Sequence, residues 1–194
     1  LGQIQGLVDT VMAANAASDT AITAVSNAAA NSNASALTIP VLNSIMGLNG
    51  EVVANIEAYK AAIAAVINAT GLDELTEIQT LINTVNTEQA AIAAITVVST
   101  ATSGDTSTVT ADVLNAITGL TGVDTANNLA AYKVAIAAVA NTAELDELSE
   151  IQTLIDAVNT EQAAITVVST ATTGDISTVT ADVLNAITGL TGVD

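Results

Sequence analysis

The stretch that decides the fold is ELTEIQTLINTVNTEQAAI at residues 74–92, which returns almost unchanged as ELSEIQTLIDAVNTEQAAI at residues 147–165. Its apolar residues recur every three or four positions, which is the spacing of one face of an α-helix. They are Leu75, Ile78, Ile82, Val85, Ile92 and Ile95. The spacing predicts a helix from about Asp73 to Val98, which spans roughly 38 Å at 1.5 Å per residue.

Two neighbouring stretches recur with it. AYKAAIAAV at 58–66 matches AYKVAIAAV at 131–139, an offset of 73 residues. ITVVSTATSGDTSTVTADVLNAITGLTGVD at 95–124 matches ITVVSTATTGDISTVTADVLNAITGLTGVD at 165–194, an offset of 70. The shorter offset reflects the loss of three residues, close to one helical turn, after Gln162. The recurrence predicts a tandem array.

In each repeat the caps and the spacing of the apolar residues predict two more helices. A short one follows Thr110 as N-cap, and in the earlier copy Pro40 falls in the first turn after Thr38, where a missing N–H costs nothing. Its apolar positions are Val113, Leu114, Ile117 and Leu120, and the glycines expected to end it are Gly47, Gly50, Gly119 and Gly122. The other helix carries Ile56, Tyr59, Ile63 and Val66, matched by Leu129, Tyr132, Ile136 and Val139. The Ser/Thr/Gly linker at 99–110 is expected to be extended or a short strand.

The predicted fold class is all-α, with tandem three-helix repeats of about 70–73 residues stacked into a rod or fibre. The array divides into a partial repeat at 1–35, full repeats at 36–106 and 107–176, and a partial repeat at 177–194. A unit of this size without disulfides is marginally stable alone, and here it has few aromatic side chains to bury. Neighbouring units or chains are therefore expected to complete the burial.

Composition excludes several classes of function. The chain carries 20 acidic and 2 basic residues, for a net charge of −18, and has no His and no Cys. It therefore lacks the imidazole and thiolate ligands of zinc, copper and haem sites and the Ser-His-Asp and Cys-His nucleophiles. Two cations cannot neutralise nucleic acid or an anionic membrane surface. The longest apolar run, at 61–67, is too short to insert in a membrane.

The repeats resemble a known class of sequence. VLNAITGLTGVDTANNLAAYKVAIAAV at 113–139 and LDELSEIQTLIDAVN at 145–159 are similar to the Ala-rich helical repeats of very long secreted or surface bacterial proteins, described as adhesin-like or biofilm-associated. The resemblance covers essentially the whole chain. It implies spacer or fibre-forming modules at the cell surface or outside the cell, with no catalytic residue. The near identity of neighbouring repeats departs from that pattern and indicates either recent duplication or selection for regular packing.

Each full repeat has one tyrosine, and the only basic residue of the repeat follows it directly. For Lys60 and Lys133 we weigh a solvated side chain, an ion pair to an acidic helix start in a neighbouring unit, and a covalent cross-link to Asn or Asp. The solvated side chain is favoured. Tyr59 and Tyr132 are expected in the core with the hydroxyl near the surface.

Acidic clusters are the candidates for calcium. They are Asp73, Glu74 and Glu77 in one repeat, Glu144, Asp146, Glu147 and Glu150 in the next, and Asp105 and Asp175 in Gly-Asp turns. Carboxylates at helix starts and in turns need no metal, so we assign no metal or cofactor site and leave only calcium open. Asn33 and Asn68 begin N-glycosylation patterns.

The sequence favours a structural protein over an enzyme. We expect an extracellular or cell-surface segment whose partners are copies of itself and neighbouring repeats, forming a filament or matrix fibre, with no small-molecule substrate. The alternative is a non-assembling spacer stalk of a giant adhesin. A repeated binding module ranks last, because the chain lacks the aromatic and Arg residues that dominate binding hot spots.

Overall fold

The computed structural model describes residues 1–66, 71–101, 104–171 and 176–190. In these ranges every regular element is helical and no strand occurs, which confirms the all-α prediction. Three lengths of helix alternate along the chain: long, short and intermediate.

The long helices are α1 (Gly2–Ala30), α4 (Leu75–Thr100) and α7 (Leu148–Thr170). Their acidic starts act as caps. In α7, Glu147 and Glu150 form a capping box, in which each side chain accepts from the other residue's backbone N–H. At the start of α4, Glu77 Oε2 accepts from the N–H groups of Asp73 and Glu74, both at 3.1 Å. These bonds satisfy donors that have no partner within the helix.

The short helices are α2 (Ile39–Asn43), α5 (Ala111–Ala116) and α8 (Ala181–Asn185). Each starts at a threonine whose hydroxyl accepts a backbone N–H three residues ahead, as the sequence predicts for Thr38 and Thr110. The helices α2 and α5 end before the glycines that were expected to end them. In α2 the chain leaves the helix after Asn43 and continues in tight turns to Gly47, whose φ is +88°.

The intermediate helices, α3 (Ile56–Ala65) and α6 (Leu129–Ala138), follow a turn after the short helix. Tyr59 and Ile63 in α3 are fully buried, as are Tyr132 and Ile136 in α6. The four-residue spacing places each pair on one face of its helix. A 3₁₀ turn at Val53–Asn55 precedes α3, and another at Thr142–Glu144 follows α6.

The chain divides into two compact units, Leu1–Gln89 and Ala90–Asp194, each with its own core. The largest buried side chains of the first are Leu42, Ile45, Tyr59, Ile63, Ile78 and Ile82. Those of the second are Leu114, Ile117, Tyr132, Ile136, Ile151 and Ile155, which are the repeat-equivalent residues. The two cores therefore use the same side chains in the same order along the chain.

Helix α4 contributes to both cores. Ile78, Ile82 and Val85 belong to the first, whereas Ala94 and Val98 belong to the second. The next buried position after Val85 is Ala91, six positions further along the helix, which breaks the spacing of three and four. Ile92 consequently lies outside the buried set and is 56% exposed, so the sequence placed it on the apolar stripe wrongly.

The linker at 99–110 is only partly extended: its first residues are helical, whereas Thr110 at its end has extended backbone angles, φ −112° and ψ 169°. Its first residues, Ser99 and Thr100, belong to α4, and Ser99 Oγ donates to the carbonyl of Thr142 at 2.9 Å. From residue 104 onward it forms turns, with Gly104 at φ +118° and the Ser107 N–H donating to Asp105 Oδ1 at 3.0 Å. The described part of the linker contains no strand.

Candidate functional site

The most distinctive feature of the first unit is a buried polar contact at Tyr59. The Tyr59 hydroxyl donates to Asn86 Oδ1 at 2.5 Å and accepts from the Val52 N–H at 2.9 Å. Tyr59 has no exposed surface. Because a buried hydroxyl without partners is costly, these two bonds fix both the ring and the loop that precedes α3.

Asn86 on α4 completes the contact with both ends of its amide. Asn86 Oδ1 also accepts from Asn55 Nδ2 at 2.9 Å, and Asn86 Nδ2 donates to the Gly50 carbonyl at 2.8 Å. Gly50 has a backbone φ of +83°, a conformation that residues other than glycine rarely adopt. One asparagine thus joins α3, α4 and the loop after α2, and we call Tyr59, Asn86 and Asn55 the tyrosine–asparagine node.

The second unit builds the same node from repeat-equivalent residues. The Tyr132 hydroxyl donates to Asn159 Oδ1 at 2.5 Å and accepts from the Asp124 N–H at 3.0 Å. Asn128 Nδ2 donates to Asn159 Oδ1 at 2.9 Å, and Asn159 Nδ2 donates to the Gly122 carbonyl at 2.8 Å. Sequence reasoning found the tyrosines but missed the asparagines, although Asn86 and Asn159 recur at the offset of 73 residues.

On the same helix, seven positions before the asparagine of the node, a glutamine side chain binds the backbone of the same loop, and we call this contact the glutamine clamp. Gln79 accepts from the Asn49 N–H at 2.9 Å and donates to the Asn49 carbonyl at 2.8 Å. Gln152 makes the equivalent pair of bonds to Thr121, at 2.8 and 3.1 Å. Both bonds go to backbone groups, so the clamp tolerates the change from Asn49 to Thr121. Sequence analysis did not single out these glutamines.

The two nodes accommodate loops of different length. Tyr59 lies seven positions after Val52, whereas Tyr132 lies eight positions after Asp124. The shorter loop passes through a 3₁₀ turn, and the longer one through a turn in which Asp124 Oδ1 accepts from the Asn127 N–H at 3.1 Å. The extra residue is taken up between the loop and the helix without altering the hydrogen bonds of the tyrosine.

Hydrogen bonds from Asn127 to the carboxylate of Asp124 lower the pKa of Asp124. The bond from the Asn127 side chain has the larger effect, and the bond from its backbone N–H has the smaller one. A folded-state pKa below the unfolded value, about 3.9 for Asp, means that the ionised carboxylate stabilises the fold above that pH. The stabilisation is lost as the pH falls through the folded-state pKa. Replacing Asn127 by alanine is expected to raise the pKa of Asp124, measured by NMR titration of its carboxyl carbon. An unchanged titration would contradict the role of Asn127.

The lysines differ between the units. Lys60 Nζ lies 2.9 Å from Glu57 Oε1, three residues earlier on the same helix, so its ion pair lies within α3. Lys133 has Ala130 at the equivalent position and makes no ion pair within the described ranges. An exposed pair such as Lys60–Glu57 contributes little to stability. An ion pair linking neighbouring units is not observed for either lysine in the part of the chain that the structure describes.

The acidic candidates mostly serve as caps and turns. Glu77, Glu147 and Glu150 cap α4 and α7, and Glu144 ends a 3₁₀ turn. Asp105 accepts from Ser107, whose side-chain and backbone bonds lower the pKa of Asp105. Across the described ranges, no three acidic side chains are grouped so that they could hold a metal ion. Asp175 lies outside the described residues.

The remaining candidates are the two asparagines that begin N-glycosylation patterns, Asn33 and Asn68. Asn33 is exposed, and its Oδ1 accepts from the Ser35 N–H at 3.1 Å. Asn68, which begins the second glycosylation pattern, lies outside the described residues.

An open apolar groove of about 520 Å³ lies in the first unit beside α3 and α4. Its apolar lining includes Ala62, Val66, Leu72, Leu81 and Val85. Of the polar side chains along it, the Thr80 and Thr84 hydroxyls donate to carbonyls one turn back on the same helix, Glu77 accepts from the N–H groups at the start of α4, and Glu88 is exposed. The groove offers apolar surface for packing rather than a set of converging reactive groups.

The comparisons with known proteins leave the geometry as the basis for function. No family model, curated protein or solved structure matches the chain. None of the helices within the described residues is both long and apolar enough to cross a membrane.

Proposed function

We propose that the chain is a structural repeat segment of an extracellular protein and that it self-assembles through its aliphatic and Ala-rich helix faces into a filament or matrix fibre. One observation carries this proposal: two units build equivalent cores and equivalent tyrosine–asparagine nodes from residues that recur in the same order, 72 or 73 positions apart. Polar contacts buried in this way specify a single arrangement of the helices. A fibre requires that uniformity, because each unit must present the same surface.

The packing chemistry supports the same role. Alanines such as Ala21, Ala28 and Ala29 are buried in the first unit, and Ala94 and Ala101 are buried in the second. Alanine lets helices approach closely and loses no side-chain entropy when it is buried. Because these alanines lie inside the units, they make the packing within each unit close and regular, which a repeating assembly requires.

The distribution of charge is compatible with a surface that is soluble and that can still contact other copies. Every acidic residue that the structure describes is exposed or half-buried, and the chain carries a net charge of −18. Such a surface repels itself at low ionic strength, and salt screens that repulsion within about 8 Å at physiological concentration. Assembly is therefore expected to strengthen with salt, as suits a saline extracellular setting.

A second candidate is the non-assembling spacer stalk of an adhesin. It is favoured by the closure of each core within its own stretch of chain, since the nodes and clamps join residues 27 to 37 positions apart. A stalk built from such units would hold its structure without contacts to other copies. Neither role assigns a catalytic activity to the chain.

Electron microscopy of the purified chain in saline buffer, with and without calcium, separates the two candidates. Self-assembly predicts ordered filaments with an axial repeat related to the repeat of about 70–73 residues. Isolated rods in both buffers would refute assembly and leave the spacer role. Filaments that form only with calcium would show that the acidic side chains bind the ion between copies.

A further inference from the structure

Asn49 and Gly50 form the only Asn–Gly pair in the sequence, and they lie in the loop that the glutamine clamp of the first unit binds. Asparagine is thermolabile, and a following glycine makes it more so, because the absence of a Cβ lets the backbone approach the asparagine side chain closely. The second unit has Thr121 and Gly122 at the equivalent positions, so it lacks the reactive amide. The two loops therefore share their backbone contacts and differ in one labile side chain.

The reaction open to this pair is deamidation. Base removes the proton of the Gly50 backbone nitrogen, which then attacks the side-chain carbonyl carbon, Cγ, of Asn49. The new Cγ–N bond closes a succinimide ring, the Cγ–Nδ2 bond breaks, and the leaving nitrogen takes a proton from water and departs as ammonia. Water then opens the ring at either carbonyl and leaves aspartate or isoaspartate at position 49. Water is the only co-reactant, so no cofactor or enzyme takes part.

The reacting groups are open to solvent in the folded chain. Asn49 and Gly50 are exposed, and the Gly50 N–H donates to no acceptor among the described residues. Base can therefore reach this proton without breaking a hydrogen bond. The glycine is also required by the fold, because its φ of +83° is rarely adopted by other residues. The presence of the labile pair thus depends on residue 49 alone.

The glutamine clamp opposes ring closure. Closure needs the peptide group between Asn49 and Gly50 to turn until its nitrogen approaches Asn49 Cγ. Gln79 Nε2 donates to the Asn49 carbonyl at 2.8 Å, and Gln79 Oε1 accepts from the Asn49 N–H at 2.9 Å, so both bonds resist this turn. The side chain is held as well, because Asn49 Nδ2 donates to the Gly47 carbonyl at 2.7 Å. That bond directs the amide toward the preceding residues and away from the Gly50 nitrogen.

The tyrosine–asparagine node fixes the other side of the pair. Asn86 Nδ2 donates to the Gly50 carbonyl at 2.8 Å, and the Asn86 side chain is itself held by the Tyr59 hydroxyl. Bonds on both sides of the reacting atoms leave the loop little freedom to bring the Gly50 nitrogen to Asn49 Cγ. Reaction therefore requires a local opening of the loop, and its rate follows the fraction of molecules in which the loop is open.

We propose that Asn49 is a site of spontaneous deamidation and that the Gln79 clamp sets its rate. The amide reacts only in molecules whose clamp is open, so the folded chain is modified slowly. The first unit thereby carries a chemical change that the second unit lacks at the equivalent place. This chemistry goes beyond the proposed function and takes place whether or not the chain assembles.

The isoaspartate product alters the contacts that protected the amide. Its main chain runs through the former side chain and is one carbon longer between residue 49 and Gly50. The carbonyl that accepts from Gln79 Nε2 becomes a free carboxylate, outside the main chain. The spacing between the clamp and the Gly50 carbonyl bound by Asn86 therefore no longer matches, and the loop of the first unit is loosened.

The test measures the deamidation rate of the full chain at mildly alkaline pH. Samples are digested at acidic pH, where deamidation is slow, and the peptide that contains residue 49 is analysed by mass spectrometry. Gln79→Ala is expected to react at least roughly tenfold faster than the unmodified chain, because two hydrogen bonds of typical net strength hold the clamp closed. In urea above the unfolding transition, both chains are expected to react at the same, faster rate. Below that transition the rate is expected to rise only slightly with urea, since a local opening exposes little surface.

Matched controls separate the clamp from a general loss of stability. Asn83→Ala removes the other side-chain partner of Gln79 and keeps the clamp, so the rate at Asn49 is expected to stay unchanged. Thr121→Asn moves the labile pair into the second unit, where Gln152 makes the same two backbone bonds. Its amide is expected to react slowly, and at least roughly tenfold faster when Gln152→Ala is added. Circular dichroism checks that each variant retains its helices.

The outcomes bear on the site and on the clamp separately. An Asn49 that stays unmodified in urea would overturn the site itself. Equal rates for Gln79→Ala and the unmodified chain would show that the clamp does not limit the reaction, as would an amide in Thr121→Asn that reacts equally fast with and without Gln152. Acceleration in both clamp variants, with Asn83→Ala unchanged, assigns the rate to the clamp.

Discussion

Replacement of Asn86 by alanine is expected to lower the free energy of unfolding by about 2–4 kcal/mol, the largest effect of any single polar side chain in the first unit. The truncation removes the acceptor of the Tyr59 hydroxyl and of Asn55 Nδ2, and it removes the donor to the Gly50 carbonyl. Tyr59 has no exposed surface, so its hydroxyl loses an acceptor that solvent does not already supply. Urea denaturation followed by circular dichroism measures the change.

Asn83→Ala provides the matched control for this prediction. Asn83 lies one turn earlier on α4, is exposed, and accepts only from Gln79 in its side-chain contacts. Its loss is expected to cost less than about 0.5 kcal/mol. A double-mutant cycle with Tyr59→Phe isolates the node, with a coupling energy above about 1 kcal/mol expected. Equal effects of Asn83→Ala and Asn86→Ala would show that the node does not stabilise the unit.

Proline at Gln89 is expected to destabilise the chain by about 3 kcal/mol or more and to split its unfolding into two transitions. Gln89 lies inside α4, between the residues that the helix gives to the first core and those that it gives to the second. Proline removes one backbone hydrogen bond and clashes with the carbonyl of Val85. An unbroken helix makes the order of one core favour the order of the next, as in other repeat arrays.

Gln89→Ala separates the backbone effect from the loss of the side chain. Alanine keeps the helical hydrogen bond, so its stability is expected within about 0.5 kcal/mol of the unmodified chain, with one transition. Calorimetry detects the number of transitions directly. A single transition for Gln89→Pro at an unchanged temperature would show that the two cores are not coupled through α4.

Local signals account for the part of the fold that the sequence predicted. Thr38 and Thr110 cap the short helices because a threonine followed by apolar residues at helical spacing is a strong local start signal. Tyr59, Ile63 and their equivalents occupy the core because the same spacing places them on one face. Such signals depend only on residues close together in sequence.

The errors and omissions arose where distant parts of the chain meet. Asn86 pairs with Tyr59 across 27 residues and Gln79 with Asn49 across 30, and no local pattern marks a polar residue as the partner of a distant one. Ile92 fits the helical stripe, yet the buried positions of α4 shift when the helix passes from one core to the next. The short helices stop before their glycines, at Asn43, Ala116 and Asn185, which the position of the glycines alone does not predict.

The loop before each intermediate helix has a further consequence for protein engineering. Val52 to Tyr59 and Asp124 to Tyr132 differ by one residue, yet both tyrosines receive the same backbone N–H bond. Variation in length at this place is therefore compatible with an intact node. A foreign peptide grafted between Asp124 and Asn128 would be displayed on the surface, while the glutamine clamp on Thr121 and the node of Tyr132, Asn159 and Asn128 hold the scaffold on either side. A polymer of such chains would present that peptide at regular intervals, as a multivalent array.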